Sequence, residues 1–185
     1  MKKINMVDLN GQYRKIRWQV NREIKKVINT SSFVNGPIVK EFQNNLQEYL
    51  GVKHVIPCAN GTDALQIALM ALDLKIGDEV ITTNFSFAST IEVILLLGLK
   101  PVVIDIDPRT FNINPDLIQD KISNKTKAII PVHLFGQSCR MEEILEISNK
   151  NNIQVIEDNA QALGSKYKFS NSQKQMSGTI GYIAT

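Results

Sequence analysis

Short apolar runs alternate with longer segments of helical periodicity from His54 onward. This alternation is typical of a chain that builds a parallel sheet, because parallel strands need long connections and helices supply them. Five runs are predicted to be strands, with a possible sixth at Tyr182–Ala184: His54–Cys58, Glu79–Thr83, Pro101–Ile106, Ala128–His133 and Ile153–Glu157. The pattern therefore predicts an α/β fold with a mostly parallel sheet and flanking helices.

The segments between these runs have the apolar spacing of helices. Four helices are predicted within the sheet region: Asp63–Leu74, Ser89–Leu97, Pro115–Ile122 and Met141–Asn151. Two more, Gln12–Asn29 and Val39–Leu50, precede it, and the polar stretch Ser170–Ser177 is predicted to be a mobile loop. We expect two parts, an N-terminal helical segment at 1–50 and a sheet-forming domain at 51–185.

Composition argues against several classes of function. The 21 Lys and Arg and 18 Asp and Glu residues are spread along the chain, so no basic face for nucleic acid is expected. No apolar run is long enough to span a bilayer, and residues 1–16 lack the apolar core of a secretory signal. Cys58 and Cys139 have no neighbours that suggest a metal site. We expect both to be free, buried thiols in a cytoplasmic protein.

Ligands of open parallel sheets bind outside the carboxyl ends of the strands, so the loops that follow the predicted strands are informative. The first loop, residues 59–63, is a glycine-containing turn that leads into a helix. The free N–H groups of such a helix N-terminus can bind a phosphate, and the Thr62 hydroxyl can add a further bond. The alternative is that Thr62 or Asp63 only caps the helix.

Two further loops carry unusual side chains. Phe85 and Phe87 lie in the loop after the second predicted strand, where one ring can stack on a planar ligand or both can fold into the core. Asp158 follows the last apolar run, so its carboxylate is expected to be buried and to need a partner. No basic residue is close in sequence, and a protonated pyridine nitrogen would serve. His133, at another strand end, indicates little by itself.

Five segments together resemble the DegT/DnrJ/EryC1/StrS family of sugar aminotransferases, a branch of the fold-type I pyridoxal-phosphate (PLP) enzymes. They are FVNGPIVKEFQ at 33–43, ANGTDALQIAL at 59–69, NFSFAST at 84–90, KAIIPVHLFGQ at 127–137 and VIEDNAQALGS at 155–165. The resemblance covers essentially the whole chain. It implies the large domain of a fold-type I aminotransferase, with residues 51–185 forming an incomplete PLP-binding domain that stops before the small C-terminal domain.

The resemblance also implies which residues bind the cofactor. Six positions match those at which the family holds PLP: Gly61, Thr62, Asp63, Phe87, Asp158 and Gln161. The helix N-terminus would hold the phosphate, and the aromatic ring would stack on the pyridine. The carboxylate of Asp158 would pair with the ring nitrogen and keep it protonated, and the glutamine would lie near the ring oxygen. Leu163 stands where the family often has histidine.

The family's Schiff-base lysine follows a segment like G-x-I-G-x-x-x-x-S-F. Residues 178–185 match the start of that segment, so the resemblance implies that the lysine lies beyond Thr185 and that residues 1–185 contain no catalytic residue. We expect the lysines of the preceding loop to be solvated and not to replace it: Lys166, Lys168 and Lys174. A sheet interrupted here would expose an open edge, so we expect an isolated fragment to be poorly stable.

Three functions follow from the resemblance. The first is transfer of an amino group, with glutamate as donor, to a nucleotide-linked keto sugar. The 59–69 and 155–165 segments most resemble the branch that acts on dTDP-linked keto-deoxyhexoses in polysaccharide biosynthesis, and the full-length protein would be a homodimer. The second is a non-catalytic remnant or partner-binding fragment. The third is a relative without the lysine that catalyses dehydration.

Overall fold

The computed structural model describes residues 7–185, which form two compact units that divide after Pro57. The first unit contains helix α1, Leu9–Thr30, and helix α2, Pro37–Leu50. The Asp8 side chain caps α1 by accepting a hydrogen bond from Gly11 N at 2.8 Å. Residues 1–6 of the predicted N-terminal segment lie outside the described residues. No helix within 7–185 combines the length and the apolar character needed to cross a membrane.

The second unit is a five-stranded parallel sheet with helices on both faces. Its strands are β1 Glu79–Thr83, β2 Lys100–Ile104, β3 Thr126–Ile130, β4 Gln154–Glu157 and β7 Ile183–Ala184. Their order across the sheet is β2-β1-β3-β4-β7. The flanking helices are α3 Gly61–Ala71, α4 Ser89–Leu96 and α5 Met141–Asn151. Strands β5, Lys166–Lys168, and β6, Lys174–Met176, form a separate antiparallel hairpin.

Apolar side chains of the central strands point alternately to the two faces of the sheet, which explains why helices cover both faces. Ile130 packs with Leu69 of α3 and Ile94 of α4 in one apolar cluster, whereas its neighbour Ile129 packs with Ile144 of α5 in the other. Successive residues of a strand point to opposite faces, so an apolar run needs cover on each side. The predicted α/β fold is confirmed, and it places the carboxyl ends of the parallel strands along one edge.

The strand predicted at His54–Cys58 is absent. The carbonyl oxygen of Val55 accepts a hydrogen bond from Gln43 Nε2 at 2.6 Å, and Ile56 is exposed. Pro57 has no N–H to donate to a neighbouring strand, so this short apolar run lacks one of the hydrogen bonds that a strand needs. Cys58 is accordingly exposed, contrary to the prediction of a buried thiol, whereas Cys139 is buried.

Two other predictions need correction. Residues 115–122 form two single 3₁₀ turns, Pro115–Leu117 and Gln119–Lys121, because their backbone N–H groups bond to carbonyl oxygens three residues back and not four. The polar stretch 170–177 contains β6 and is not simply an irregular loop. The backbone N–H of Ser170 donates to the Glu142 carboxylate at 2.9 Å, which ties the hairpin to α5.

Candidate functional site

Asp158 is a buried carboxylate at the carboxyl edge of the sheet, directly after β4. Only 6% of the residue is exposed. Its Oδ2 accepts a hydrogen bond from the Thr90 hydroxyl at 3.0 Å, and its Oδ1 accepts a long bond from Ala160 N at 3.3 Å. The Thr90 hydroxyl in turn lies 2.9 Å from that of Ser86. The loops after β1 and β4 therefore meet at this carboxylate.

Asp158 has no cationic partner within the part of the chain that the structure describes, since none of the ion pairs there includes it. A buried carboxylate without a counter-charge loses hydration that hydroxyl groups replace only in part. The sequence prediction left open whether its partner is distant in the chain or belongs to a ligand. Residues 7–185 provide no such cation.

Glu157, the preceding residue, is fully buried and points to the opposite face of the sheet. Its carboxylate accepts hydrogen bonds from His133 Nε2 at 2.8 Å and from three backbone N–H groups, those of Gly178, Ile180 and Gly181, at 2.8, 2.6 and 2.5 Å. The Nδ1 atom of His133 accepts from Cys139 N at 3.1 Å. Nδ1 therefore carries no proton, so His133 is the neutral tautomer that donates through Nε2.

The pKa of Glu157 reflects two opposing effects. Burial by itself would raise it, but the hydrogen bonds from His133 and from the N–H groups of Gly181 and Gly178 outweigh burial and lower the pKa below its ordinary value. Glu157 is thus an ionised group inside the protein, held by donors on all sides.

Helix α3 begins at Gly61, two residues before the predicted start at Asp63. Asn60 is its N-cap, because its Oδ1 accepts from Asp63 N at 2.9 Å. The capping role considered for Thr62 or Asp63 is therefore wrong. Within the described residues, the N–H groups of Gly61 and Thr62 have no acceptor. They are free to bind an anion at the positive end of the helix dipole.

The two loop aromatics have different surroundings. Phe85 packs against Phe111 and Phe135, with ring centroids 5.8 and 6.4 Å apart. Phe87 has no such aromatic neighbour among residues 7–185, and 73% of it is exposed. The alternative that both rings fold into the core is wrong, because 44% of Phe85 is exposed as well. The ring of Phe87 is available to a ligand.

Gln161 lies in the loop after β4 and is bonded to the loop after β3. Its Oε1 accepts from Phe135 N at 2.7 Å, while Leu163 is exposed. The lysines of the hairpin are exposed, as predicted: Lys166, Lys168 and Lys174. Sequence reasoning missed the roles of Thr90 and Glu157. For Thr90, a hydroxyl in the opening turn of a helix that follows a strand is a weak sequence signal. For Glu157, no sequence signal indicated the role.

The chain belongs to the DegT/DnrJ/EryC1/StrS aminotransferase family, because residues 14–185 match the model of that family. It is 46% identical over 165 residues to a UDP-2-acetamido-2-deoxy-3-oxo-D-glucuronate aminotransferase of Pseudomonas aeruginosa, covering 89% of this chain and 46% of that protein. It is 38% identical over 164 residues to a dTDP-3-amino-3,6-dideoxy-alpha-D-galactopyranose transaminase of Aneurinibacillus thermoaerophilus, covering 89% of this chain and 44% of the relative. The chain thus spans less than half the length of these relatives.

Solved structures confirm the predicted fold. An aminotransferase of this family from Brucella abortus matches 98% of this chain and 49% of its own, with a TM-score of 0.90 and 38% identity. NtdA of Bacillus subtilis, with PMP as bound cofactor, matches 88% and 38%, with a TM-score of 0.81 and 37% identity. A GDP-4-keto-6-deoxy-D-mannose-3-dehydratase of Escherichia coli with bound hydrated PLP matches 87% and 42%, with a TM-score of 0.78 and 29% identity.

The lowered pKa of Glu157 predicts acid sensitivity. Its ionised form stabilises the fold above the unfolded-state pKa of about 4.3, and this stabilisation is lost as pH falls through the lower folded-state pKa. We expect Glu157→Gln to lower the free energy of unfolding by about 2–4 kcal/mol at pH 7 and to flatten its fall below pH 5. Urea unfolding between pH 3 and pH 7 measures both effects.

The fall in the free energy of unfolding at low pH would be reduced but not abolished in Glu157→Gln. The pKa of Glu79 is also lowered, by hydrogen bonds from Ser123 and Lys100. Exposed Glu146→Gln is the matched control and should leave the curve unchanged. A Glu157→Gln curve parallel to that of the unchanged protein would contradict the account.

Proposed function

We propose that the protein containing this chain is a PLP-dependent aminotransferase that moves an amino group from an amino acid to a keto sugar attached to a nucleotide. The observation that carries the proposal is the buried Asp158 carboxylate, which lies at the carboxyl edge of the sheet without a cationic partner in residues 7–185. A protonated pyridine nitrogen is a planar cation that matches this position. Family membership supplies the class of cofactor and reaction.

Three features of the sheet edge fit the three parts of PLP. The free N–H groups of Gly61 and Thr62 at the start of α3 suit the phosphate, with the Thr62 hydroxyl and Asp63 beside them. The exposed ring of Phe87 suits the face of the pyridine, because stacking supplies apolar contact and orientation together. Asp158 suits the ring nitrogen. Bound PLP supplies an electron sink for the carbon that loses a proton.

The residues of this chain would orient the cofactor and hold its charge. Asp158 would keep the proton on the ring nitrogen through Oδ1, which has only the long bond from Ala160, while Thr90 fixes Oδ2. Gln161 is tied to the neighbouring loop through Phe135 N and would lie near the ring oxygen. A proton held on the nitrogen makes the ring a stronger acceptor of electrons, so these contacts act on the chemical step as well as on binding.

The acid/base group of transamination is a lysine in this family's pattern. The hairpin lysines are exposed on β5 and β6, which argues against each of them. They are Lys166, Lys168 and Lys174. We place the Schiff-base lysine outside the described residues, after the G-x-I-G turn at 178–181.

The substrate is proposed at two levels. Similar proteins are named for UDP-linked and dTDP-linked sugars, which supports a nucleotide-linked keto sugar in general. We further propose a dTDP-linked keto-deoxyhexose with glutamate as donor, in polysaccharide biosynthesis, by a homodimer. Comparing turnover of UDP-, GDP- and dTDP-linked keto sugars decides the finer proposal, because equal or better use of the UDP or GDP sugar would remove the dTDP preference.

Replacing Asp158→Asn removes the charge and keeps the shape. We expect PLP affinity to fall about 10- to 100-fold, since a charge-assisted hydrogen bond contributes about 1.5–3 kcal/mol, and transamination to fall further. Titration of the apoprotein with PLP, followed by absorbance, measures the affinity. Asp120→Asn, an exposed carboxylate with no bonded partner among residues 7–185, is the matched control. Equal PLP affinity of Asp158→Asn and the unchanged protein would exclude Asp158 as the partner of the ring nitrogen.

Borohydride reduction separates the three functions derived from the sequence. For an aminotransferase we expect the protein encoded by the gene to retain PLP covalently on one lysine after reduction, as seen by peptide mass spectrometry. A dehydratase-like relative would bind PLP without covalent retention, and a remnant would bind none. Retention on a hairpin lysine would contradict the placement proposed above.

A further inference from the structure

The G-x-I-G segment at 178–181 forms a tight turn around one carboxylate. Glu157 accepts the backbone N–H groups of Gly178, Ile180 and Gly181 at 2.8, 2.6 and 2.5 Å. Backbone N–H groups that converge in this way form an anion-binding nest. In this protein the anion is a side chain of the same chain, so the nest holds a structural carboxylate and leaves no room there for a ligand.

Both glycines of the turn are required by close approach. A Cβ atom at Gly178, where φ is +81°, would lie 2.5 Å from Asn159 Nδ2. One at Gly181 would lie 2.9 Å from the carbonyl oxygen of Val155. The G-x-I-G pattern is therefore explained by the fit of this turn against β4 and its buried glutamate.

The same carboxylate binds a second segment, the one that follows β3. The side chain of His133 donates to Glu157 at 2.8 Å. The backbone N–H of His133 donates to the carbonyl oxygen of Asp158 at 3.0 Å. The N–H of Asp158 donates to the carbonyl oxygen of Pro131 at 2.9 Å. Residues 131–133 thus fix the backbone of Asp158. The side chain of His133 in this segment is in turn bonded to Glu157.

The turn also reaches Asp158 from the other side. Downstream of the turn, β7 pairs with β4, and the N–H of Asn159 donates to the carbonyl oxygen of Thr185 at 2.9 Å. The backbone of Asp158 is therefore bonded to the segment that contains His133, and that of Asn159 to the segment that follows the 178–181 turn. Removing the Glu157 carboxylate would loosen both segments together.

We propose that Glu157 is a positioning residue for the cofactor site: its buried carboxylate clamps the 178–181 turn and the His133 segment on either side of the Asp158 backbone. This rests on the proposed function, in which Asp158 holds the ring nitrogen. Glu157 touches neither cofactor nor substrate. It sets where Asp158 points and the direction in which the chain leaves the sheet through β7.

The test is made on the full-length protein and has two readouts. Amide hydrogen exchange of the 178–181 segment, measured without cofactor, reports the clamp. Titration with PLP reports the site. In Glu157→Gln we expect the amides of Gly178, Ile180 and Gly181 to exchange about 10- to 100-fold faster, since each loses a bond to a charged acceptor. We expect PLP affinity to fall at least about tenfold in protein that remains folded by circular dichroism.

Glu146→Gln is the matched control and should change neither readout, because Glu146 is exposed on α5. Unchanged exchange at 178–181 in Glu157→Gln would overturn the clamp. Fast exchange with unchanged PLP affinity would overturn the positioning role and leave a purely structural one. Failure of the unchanged protein to bind PLP would reject the proposed function instead, while the exchange result would still decide the clamp.

If Glu157→Gln does not fold, Gly178→Ala gives the same two readouts. It keeps the carboxylate and displaces the turn, since the added methyl group meets Asn159. The proposal expects faster exchange and weaker PLP binding in this variant too. Unchanged PLP affinity despite a displaced turn would overturn it.

Discussion

Two adjacent buried carboxylates at the end of β4 impose the main constraint on this structure. Glu157 and Asp158 point to opposite faces of the sheet, and each must recover the hydration that burial removes. Glu157 does so entirely within the protein, through His133 and the 178–181 turn. Among residues 7–185, Asp158 receives only the hydrogen bond of the Thr90 hydroxyl and a long backbone bond. The hydrogen bonds of Glu157 are satisfied without a ligand, which indicates a structural role. Those of Asp158 are not, which indicates a binding role.

The parallel sheet turns this local contrast into a site. Its strands end along one edge, so the loop after β1 brings Phe87 there and the loop after β4 brings Asp158 and Gln161. Helix α3 packs on α4 beside them. The loop after β4 is bonded to its neighbours at two points: Asp158 accepts from Thr90 of α4, and Gln161 accepts from Phe135 N of the loop after β3. A site held by such cross-links is preorganised, which lowers the cost of ordering a bound cofactor.

Strands β1, β3 and β4 and most of the helices were predictable because apolar periodicity records burial directly. The run at 54–58 failed as a strand because periodicity does not show whether a neighbour is available, and Pro57 weakened it further. The exposed hairpin strands at Lys166 and Lys174 carry no apolar run. The position of Asp158 after a buried run indicated its burial. The role of Glu157 was hidden, because its partners lie more than twenty residues away in sequence.

Asp158 is proposed to keep a proton on the ring nitrogen of a bound cofactor. Nitrogen-15 NMR of the protein loaded with PLP labelled at that nitrogen tests it most directly, because the chemical shift distinguishes a protonated from an unprotonated pyridine. We expect the shift of the protonated form at neutral pH in the unchanged protein, and that of the unprotonated form in Asp158→Asn. An unprotonated ring nitrogen in the unchanged protein would contradict the account.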